Sequence, residues 1–481
     1  MVDPTGGDNH FACMMKPRLA LLLTVALPLQ ACAVGPNYHV STPSALGVPD
    51  AYSVPAPVGA QPDLATWWTS FGDPELSSIV DRAAAGNLDI AQAVARLRQA
   101  REGLVQSRAQ LLPTVSGSGG YNRDVLGPTV GSRDSFSLGV DASYQLPLFG
   151  GTFRQIEQSR ASYEASGYDL ASVRTSIAAE VARNYIIARQ QQANLANARG
   201  SLSIQDDNLE IAGYRVQAGL VSSLDSEQAR SQRATTAAAI PTIEQNYVAA
   251  VNRLGVLTGQ APGALRAELE VTAPIPVGPD AIAVGIPADV IRQRPDVRSA
   301  ERALAAATAG IGVQQAQLFP ALSISGSLNS GATAIGGLLG TITGGLFAGL
   351  TQLIFDGGQT QSRVRSQRAA TEAAFANYKQ TVLTALEDVE NALTALQAAK
   401  DRQREYSIAL DAANNTAILA RSQYRAGLTD FTTLNNAESS LLSARNGLSG
   451  AKADQAQALV QLYTALGGGW DSTTTPTAPQ E

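Results

Sequence analysis

The sequence predicts an α+β membrane protein in which one strand-strand-long helix-turn-helix unit occurs twice. Three observations predict it. The chain repeats itself at long range. Ala109-Gln110-Leu111-Leu112-Pro113 recurs as Ala316-Gln317-Leu318-Phe319-Pro320, and Leu146-Pro147-Leu148-Phe149-Gly150-Gly151 recurs as Leu353-Ile354-Phe355-Asp356-Gly357-Gly358, each 207 residues on. Arg160-Ala161 and Glu164-Ala165 recur as Arg368-Ala369 and Glu372-Ala373 at 208. That spacing is far longer than the ~20–50-residue period of a solenoid, so it marks a duplicated structural half. Next, apolar residues alternate strictly in short stretches, the period of a half-buried strand. Last, no proline stands between Pro147 and Pro241 or between Pro320 and Pro476, which leaves room for very long helices.

Composition narrows the function classes. Of 481 residues, 16% are charged and the net charge is −6, so there is no basic footprint for nucleic acid. The chain holds two histidines (His10, His39), two cysteines (Cys13, Cys32) and three methionines (Met1, Met14, Met15). Past Cys32 one histidine remains and no cysteine or methionine. That removes most metal-ligand sets and most His- or Cys-based catalysis. It also leaves no disulfide framework.

The elements follow in order. Lys16 and Arg18 precede the apolar stretch Leu19–Leu27, too short to span a bilayer. Leu29-Gln30-Ala31-Cys32 then resembles a bacterial lipobox. Residues 14–31 are expected as a signal peptide, 1–13 as an upstream extension, and Cys32 as the lipid-modified first residue. No aspartate follows Cys32, so an inner-membrane retention signal is absent and the expected location is the outer membrane. Residues 32–72 read as a lipidated linker rich in Pro, Ala and Val. Repeat 1 spans 73–262, with Asp73 as N-cap and Pro74 at the first helical position. Its first helix runs to about Leu111, with an interruption at Gly86-Asn87.

After Pro113 the period changes to two, with strands expected over about 114–122 and 135–146. Phe136, Leu138, Val140, Ala142, Tyr144 and Leu146 alternate with Ser135, Ser137, Gly139, Asp141, Ser143 and Gln145. A long helix over about 152–216 and a returning helix over about 224–258 complete the repeat. An inter-repeat segment, 263–286, leads to repeat 2 over 287–470, with strands about 321–329 and 345–355, a long helix about 358–425 and a returning helix about 432–466. In its long helix Phe375, Tyr378, Val382, Leu386, Val389, Leu393 and Leu396 share one face. A helix from 152 to 216 would be ~100 Å long. Each long helix stops at a glycine turn, Ala218-Gly219-Leu220 or Ala426-Gly427-Leu428. Residues 471–481 are expected as a disordered tail.

The strands have the length and alternation of transmembrane β-strands, ~9–11 residues. Four strands cannot close a barrel, since the smallest membrane barrels need ~8, and an open edge is not viable in lipid. So either these strands form a soluble sheet or several chains share one barrel.

At this point the chain resembles the lipoprotein outer-membrane factors of tripartite efflux pumps, the NodT/OprM branch of the TolC superfamily. Cys32-Ala33-Val34-Gly35-Pro36-Asn37-Tyr38 resembles that family's lipidated start. Gly285-Ile286-Pro287-Ala288-Asp289, Arg294-Pro295-Asp296-Val297 and Ala300-Glu301 resemble the opening of its second repeat, and Leu462 to Trp470 its C-terminal end. The resemblance implies a homotrimer with a 12-stranded transmembrane β-barrel continued by a periplasmic α-helical barrel. It also implies a periplasmic adaptor and an inner-membrane RND-type pump as partners, outer-membrane lipid around the barrel, and no cofactor beyond the lipid on Cys32. The expected function is a passive exit duct for drugs or other small molecules, without enzymatic activity. The resemblance further implies a gate at the periplasmic helix tips. The candidate gate residues are Tyr214, Arg215 and Asp225 in repeat 1 and Tyr424, Arg425, Asp430 and Phe431 in repeat 2. Where the family often has aspartates in the second turn this chain has Thr429 and Asn436. The alternative is a lipid-anchored periplasmic coiled-coil scaffold without a channel, which leaves the alternating strands unexplained. Nothing in the residues names the cargo.

Overall fold

The computed structural model describes residues 33–54, 63–125, 132–280 and 282–472. The expected signal peptide, Cys32 and residues 473–481 of the tail lie outside the described residues. In order, the main elements are α1 (Pro74–Gly86), α2 (Leu88–Ala109), β1 (Thr114–Val125), β2 (Ser132–Leu146), α3 (Gly151–Gln217), α4 (Ser223–Leu257), α5 (Arg266–Leu269), α6 (Pro287–Gln293), α7 (Pro295–Ala316), β3 (Ala321–Ala332), β4 (Ile342–Thr351), α8 (Gln359–Arg425) and α9 (Phe431–Ala465). They group into two compact units. Among the described residues, one holds those within 33–39, 100–163 and 302–375, and the other those within 40–99, 164–301 and 376–472.

The first unit is built on one antiparallel sheet in the order β1-β2-β3-β4. Each repeat supplies one hairpin, and the hairpins join through β2 and β3, where Val140 faces Leu328 and Tyr144 faces Ile324. The registers also fix how the repeats correspond. Thr114 faces Ser143 in the first hairpin and Ala321 faces Thr351 in the second. The first strands are thus related by 207 residues and the second strands by 208. The 207-residue match of Leu146-Pro147 to Leu353-Ile354 is therefore corrected by one residue. At 207 every side chain of β4 would fall on the wrong face.

Strand bounds differ from expectation at several ends. β1 and β2 extend to Val125 and back to Ser132, and β3 runs on to Ala332. β4 covers Ile342–Thr351, not 345–355. The reason is its partner. Thr351 faces Ala321, and the residue before that is Pro320, which has no N–H to donate. Leu353, Ile354 and Phe355 are left exposed beyond the strand.

In the second unit the expected break at Gly86-Asn87 separates α1 from α2. Asp73 caps α1, accepting from Glu75 N and Leu76 N at 3.0 Å each. Asn87 caps α2, accepting from Asp89 N (2.8 Å) and Ile90 N (3.1 Å), while its amide donates to Leu257 O at 2.9 Å. Gly259 (φ +73°) closes this junction, since a Cβ there would collide with the carbonyl oxygen of Gly86. The chain's early and late segments meet where Trp67 stacks on Tyr463, with centroids 5.4 Å apart, and where Gly469 N donates to Leu64 O at 2.7 Å. Ser472, expected in the disordered tail, is held, its carbonyl accepting from Arg298 at 3.0 Å.

Gly259→Ala is expected to lower the unfolding midpoint, by about 1–3 kcal/mol in free energy, through strained backbone and the clash with Gly86 together. A thermal melt of the purified protein against the parent checks this.

Candidate functional site: the sheet face and the helix tips

Residues facing each other across strands share a face of the sheet. One face carries Phe136, Leu138, Val140, Ala142 and Tyr144 of β2. Their neighbours there are Leu322, Ile324 and Leu328 of β3, Ile342, Leu346, Ala348 and Leu350 of β4, and Val115 and Tyr121 of β1. The other face carries Ser135, Ser137, Asp141, Ser143, Ser323, Ser325, Ser327, Asn329, Thr343 and Thr351, with Phe347 as an aromatic exception. On the apolar face Tyr121 and Phe136 pack with centroids 5.0 Å apart near one end of the hairpin, and Tyr144 lies near the other. Eight strand residues tilted by ~40° cover roughly 20 Å of height, close to the ~25 Å apolar band between the aromatic girdles of a membrane barrel. Above the band, Tyr121 Oη donates to Asp134 at 2.9 Å and Arg123 stands 3.7 Å from the same carboxylate.

The segment after Cys32 is bound within the same unit. Arg154, a buried residue on α3, donates to Val34 O (3.2 Å), Gly35 O (3.1 Å) and Asn37 Oδ1 (2.7 Å). Gly35 (φ +106°) packs onto Gly312, so neither position has room for a side chain. Val34-Gly35-Pro36-Asn37 is thus a docking sequence for one arginine and one glycine-lined groove.

The helix tips belong to the second unit. Both long helices end in the same turn. Gly219 (φ +72°) and Gly427 (φ +75°) take the left-handed position. Leu220 N closes onto Arg215 O at 2.9 Å and Leu428 N onto Gln423 O at 2.8 Å. The structure brings together three of the candidate residues. Arg215 Nη1 donates to Tyr424 O at 3.0 Å, and its guanidinium lies 4.7 Å above the Tyr424 ring. Tyr424 in turn meets Phe431 edge-on at 5.8 Å. Tyr424 and Phe431 are buried in a cluster with Ala212, Ala229, Ala420, Leu434 and Leu441. Burial pushes the Tyr424 hydroxyl up, Arg215 opposes that and Asp225 adds to it. These contacts tie the end of α3 to the end of α8.

Tyr214, Arg425 and Asp430 stand apart from these contacts. Tyr214 is exposed and donates to Glu210 Oε1 at 2.7 Å, and that bond raises its pKa. Arg425 is exposed. Asp430 caps α9, accepting from Thr433 N at 2.7 Å. Its carboxyl is held below the usual range by the Thr433 side chain and backbone N–H.

Sequence reasoning missed an ion pair of the tip with a buried carboxylate. Arg421 of α8 forms a two-point bridge to Glu438 of α9, with Nη2 to Oε2 at 2.8 Å, and Glu438 is only 4% exposed. The signal was present: Glu438 lies in the apolar register of Leu434, Ala437 and Leu441, where a lone carboxylate needs a partner. Arg233 to Asp206, at 2.8 Å, makes a second, exposed bridge between α4 and α3.

An amphipathic sheet, paired long helices and a duplicated chain define a class, the membrane channels continued by helices. The comparisons agree. The family model described as outer membrane efflux protein matches residues 79–260 and 286–468, one match per repeat. The chain belongs to that family, the outer-membrane channels of tripartite efflux pumps. It is similar to nodulation protein T of Rhizobium leguminosarum bv. trifolii, 32% identical over 93% of this chain and 96% of the relative. It is also similar to the pyoverdine export outer membrane protein OpmQ of Pseudomonas aeruginosa, 32% identical over 85% of this chain and 88% of the relative. Among solved structures, the outer-membrane channel OprN superposes with a TM-score of 0.83 at 31% identity, covering 91% of this chain and all of that one.

Arg421→Ala is expected to destabilise the tip by about 3–5 kcal/mol, because it leaves the Glu438 carboxylate buried and unpaired. Arg421→Met with Glu438→Leu should recover most of that loss. Hydrogen exchange at the facing ends of α8 and α9 reads both.

Proposed function

We propose that the protein works as a homotrimeric, passive exit duct, lipid-anchored at Cys32, that takes small molecules from an inner-membrane pump and its periplasmic adaptor. It makes and breaks no bonds and needs no cofactor. The observation that carries the reading is the sheet: one face is apolar over a membrane-sized band and its two edges, β1 and β4, have no strand partner among the described residues. In lipid each unpaired N–H and C=O costs several kcal/mol, so the edges must be closed by other copies. Three chains give twelve strands. Relatives named for pyoverdine export and toluene efflux support small-molecule cargo. The linker (32–72), the repeats (73–262 and 287–470) and the segment between them (263–286) serve as the duct's working parts.

The duplication supplies the register of the closing pair. Val140 faces Leu328 within the chain. Moving each by its repeat offset places Ala348 of one protomer opposite Tyr121 of the next. This keeps the apolar residues of β4 and β1 on one face. Ala348→Cys with Tyr121→Cys is expected to form oxidant-dependent covalent dimers and trimers in the assembled protein, while either single variant forms none. The two positions lie on opposite edges of one sheet, so a disulfide within one chain is not available. Absence of cross-linked species would overturn this register.

The gate lies at the helix tips. Release of the Arg215–Tyr424 contact would let the α3 and α8 ends part. Three-fold repetition of Asp430, Arg425 and Asp225 near one axis supplies the charges that hold or repel neighbours. Asp430→Ala or Arg425→Ala is expected to raise leak of a large antibiotic across the outer membrane in a strain with confirmed surface assembly. Asp430→Asn, which keeps a good helix cap, separates the charge from the cap.

A further inference from the structure

The loop joining β3 to β4 differs in kind from the strand ends beside it. From Ala321 to Phe355 the chain carries no Asp, Glu, Lys, Arg or His. The first hairpin, by contrast, is charged on both strands near its turn, where Arg123 faces Asp134 and Asp124 faces Arg133. Phe136 faces Ala332, so those charges stand level with the start of the second hairpin's loop. At that end the first hairpin is charged and the second is not.

The loop is also folded to a definite side. The Ser330 hydroxyl donates to the carbonyl of Leu338. A methyl group at Gly337 would stand 3.1 Å from the Ala332 Cβ. Ser330 and Ala332 face Leu138 and Phe136 across the strands, so both lie on the apolar face. The short 3-10 turn Ile335–Gly337 therefore bends over that face and not over the polar one. It leaves Ile335 (72% exposed), Leu339 (79%) and Ile342 (62%) uncovered, directly continuing the apolar surface of the strands.

We propose that this loop is a lipid-contacting collar: Ile335 and Leu339, with Ile342 at the start of β4, insert among the acyl chains at the far edge of the apolar band. There they cover the end of the apolar face on the second hairpin, where Ser330 and Ala332 stand level with Leu138 and Phe136 of the first. The inference deepens the reading above and rests on the sheet crossing the membrane. Lipid is the occupant that these features favour. The loop continues a face whose residues on β3 and β4, Ser330 apart, are apolar or glycine, it carries no charge to anchor a water-soluble partner, and its backbone is fixed against that face by Ser330. A barrel in lipid gains from covering apolar side chains with acyl chains at about 25 cal/mol per Å². A loop in water would gain nothing from three bare aliphatic residues.

Tryptophan quenching tests this. The parent has Trp67, Trp68 and Trp470, so each variant is read as a difference from the parent. Three variants are assembled in vesicles of phosphatidylcholine brominated on the acyl chains, and separately exposed to aqueous iodide. Leu138→Trp probes the middle of the apolar face, Asp124→Trp the charged end of the first hairpin, and Leu339→Trp the loop. The expected result is strong bromine quenching and little iodide quenching for Leu138→Trp and Leu339→Trp, with the reverse for Asp124→Trp. If Leu339→Trp follows Asp124→Trp while Leu138→Trp is quenched by bromine, the collar is wrong and the membrane-crossing sheet stands. If Leu339→Trp is shielded from both quenchers, protein covers the loop and the lipid contact is again wrong. If Leu138→Trp itself is not quenched by bromine, the sheet does not cross the membrane and the underlying reading fails.

Discussion

Backbone hydrogen bonding in the absence of water is the constraint on which the rest depends. A strand in lipid can satisfy its N–H and C=O groups only through neighbouring strands. The first unit meets this within the chain three times, across β1–β2, β2–β3 and β3–β4. The middle pairing joins the two copies of the repeat, so the copies are parts of one surface. The same pairing requires parity. A single-residue slip would exchange apolar for polar faces along a whole strand. That is why the strands correspond at 207 and 208 residues, and why β4 ends where its partner becomes Pro320.

The second unit solves a different problem, holding long, alanine-rich helices together with few aromatic residues. Here and in the sheet unit, buried arginines occupy the joins. Arg189, 1% exposed, bridges to Glu75 and donates to Val271 O at 2.8 Å and to Gln192 Oε1 at 2.7 Å. Arg294 reaches Asp296, Asp388 and the carbonyl of Ala465. Arg154 gathers the segment after Cys32, and the half-buried Arg421, paired with the buried Glu438, closes the helix tip. A guanidinium presents five donors in a rigid fork, so one side chain can satisfy carbonyls and carboxylates from several segments at once. A buried charge is costly when unpaired, and each of these arginines is paired. The motif Arg294-Pro295-Asp296 is thereby explained as a joint.

Much of this was legible in residue order. The strict alternation of Phe136–Leu146, the glycine turns at Gly219 and Gly427, the cap at Asp73, and the break at Gly86-Asn87 all follow from local rules. A period, a positive φ and a cap each involve residues within a few positions of one another. The candidate gate residues were less legible. Tyr424 and Phe431 are buried packing partners, and Arg215 binds a backbone carbonyl contributed by the other repeat. Asp430 serves its own helix. The Arg421–Glu438 bridge was missed because its members lie on different helices: the apolar register of Glu438 signals a buried carboxylate but does not name its partner.

The sequence by itself determined the duplication, the kind and order of the elements, and which strand positions are apolar, because these depend on short-range periodicity and on copies that can be compared directly. Tertiary structure alone decided the one-residue offset between the second strands, the side to which the β3–β4 loop folds, and the partners of the buried arginines. Each of these is settled by a contact between residues far apart in the chain, where hydrogen-bond register and desolvation outweigh local preference.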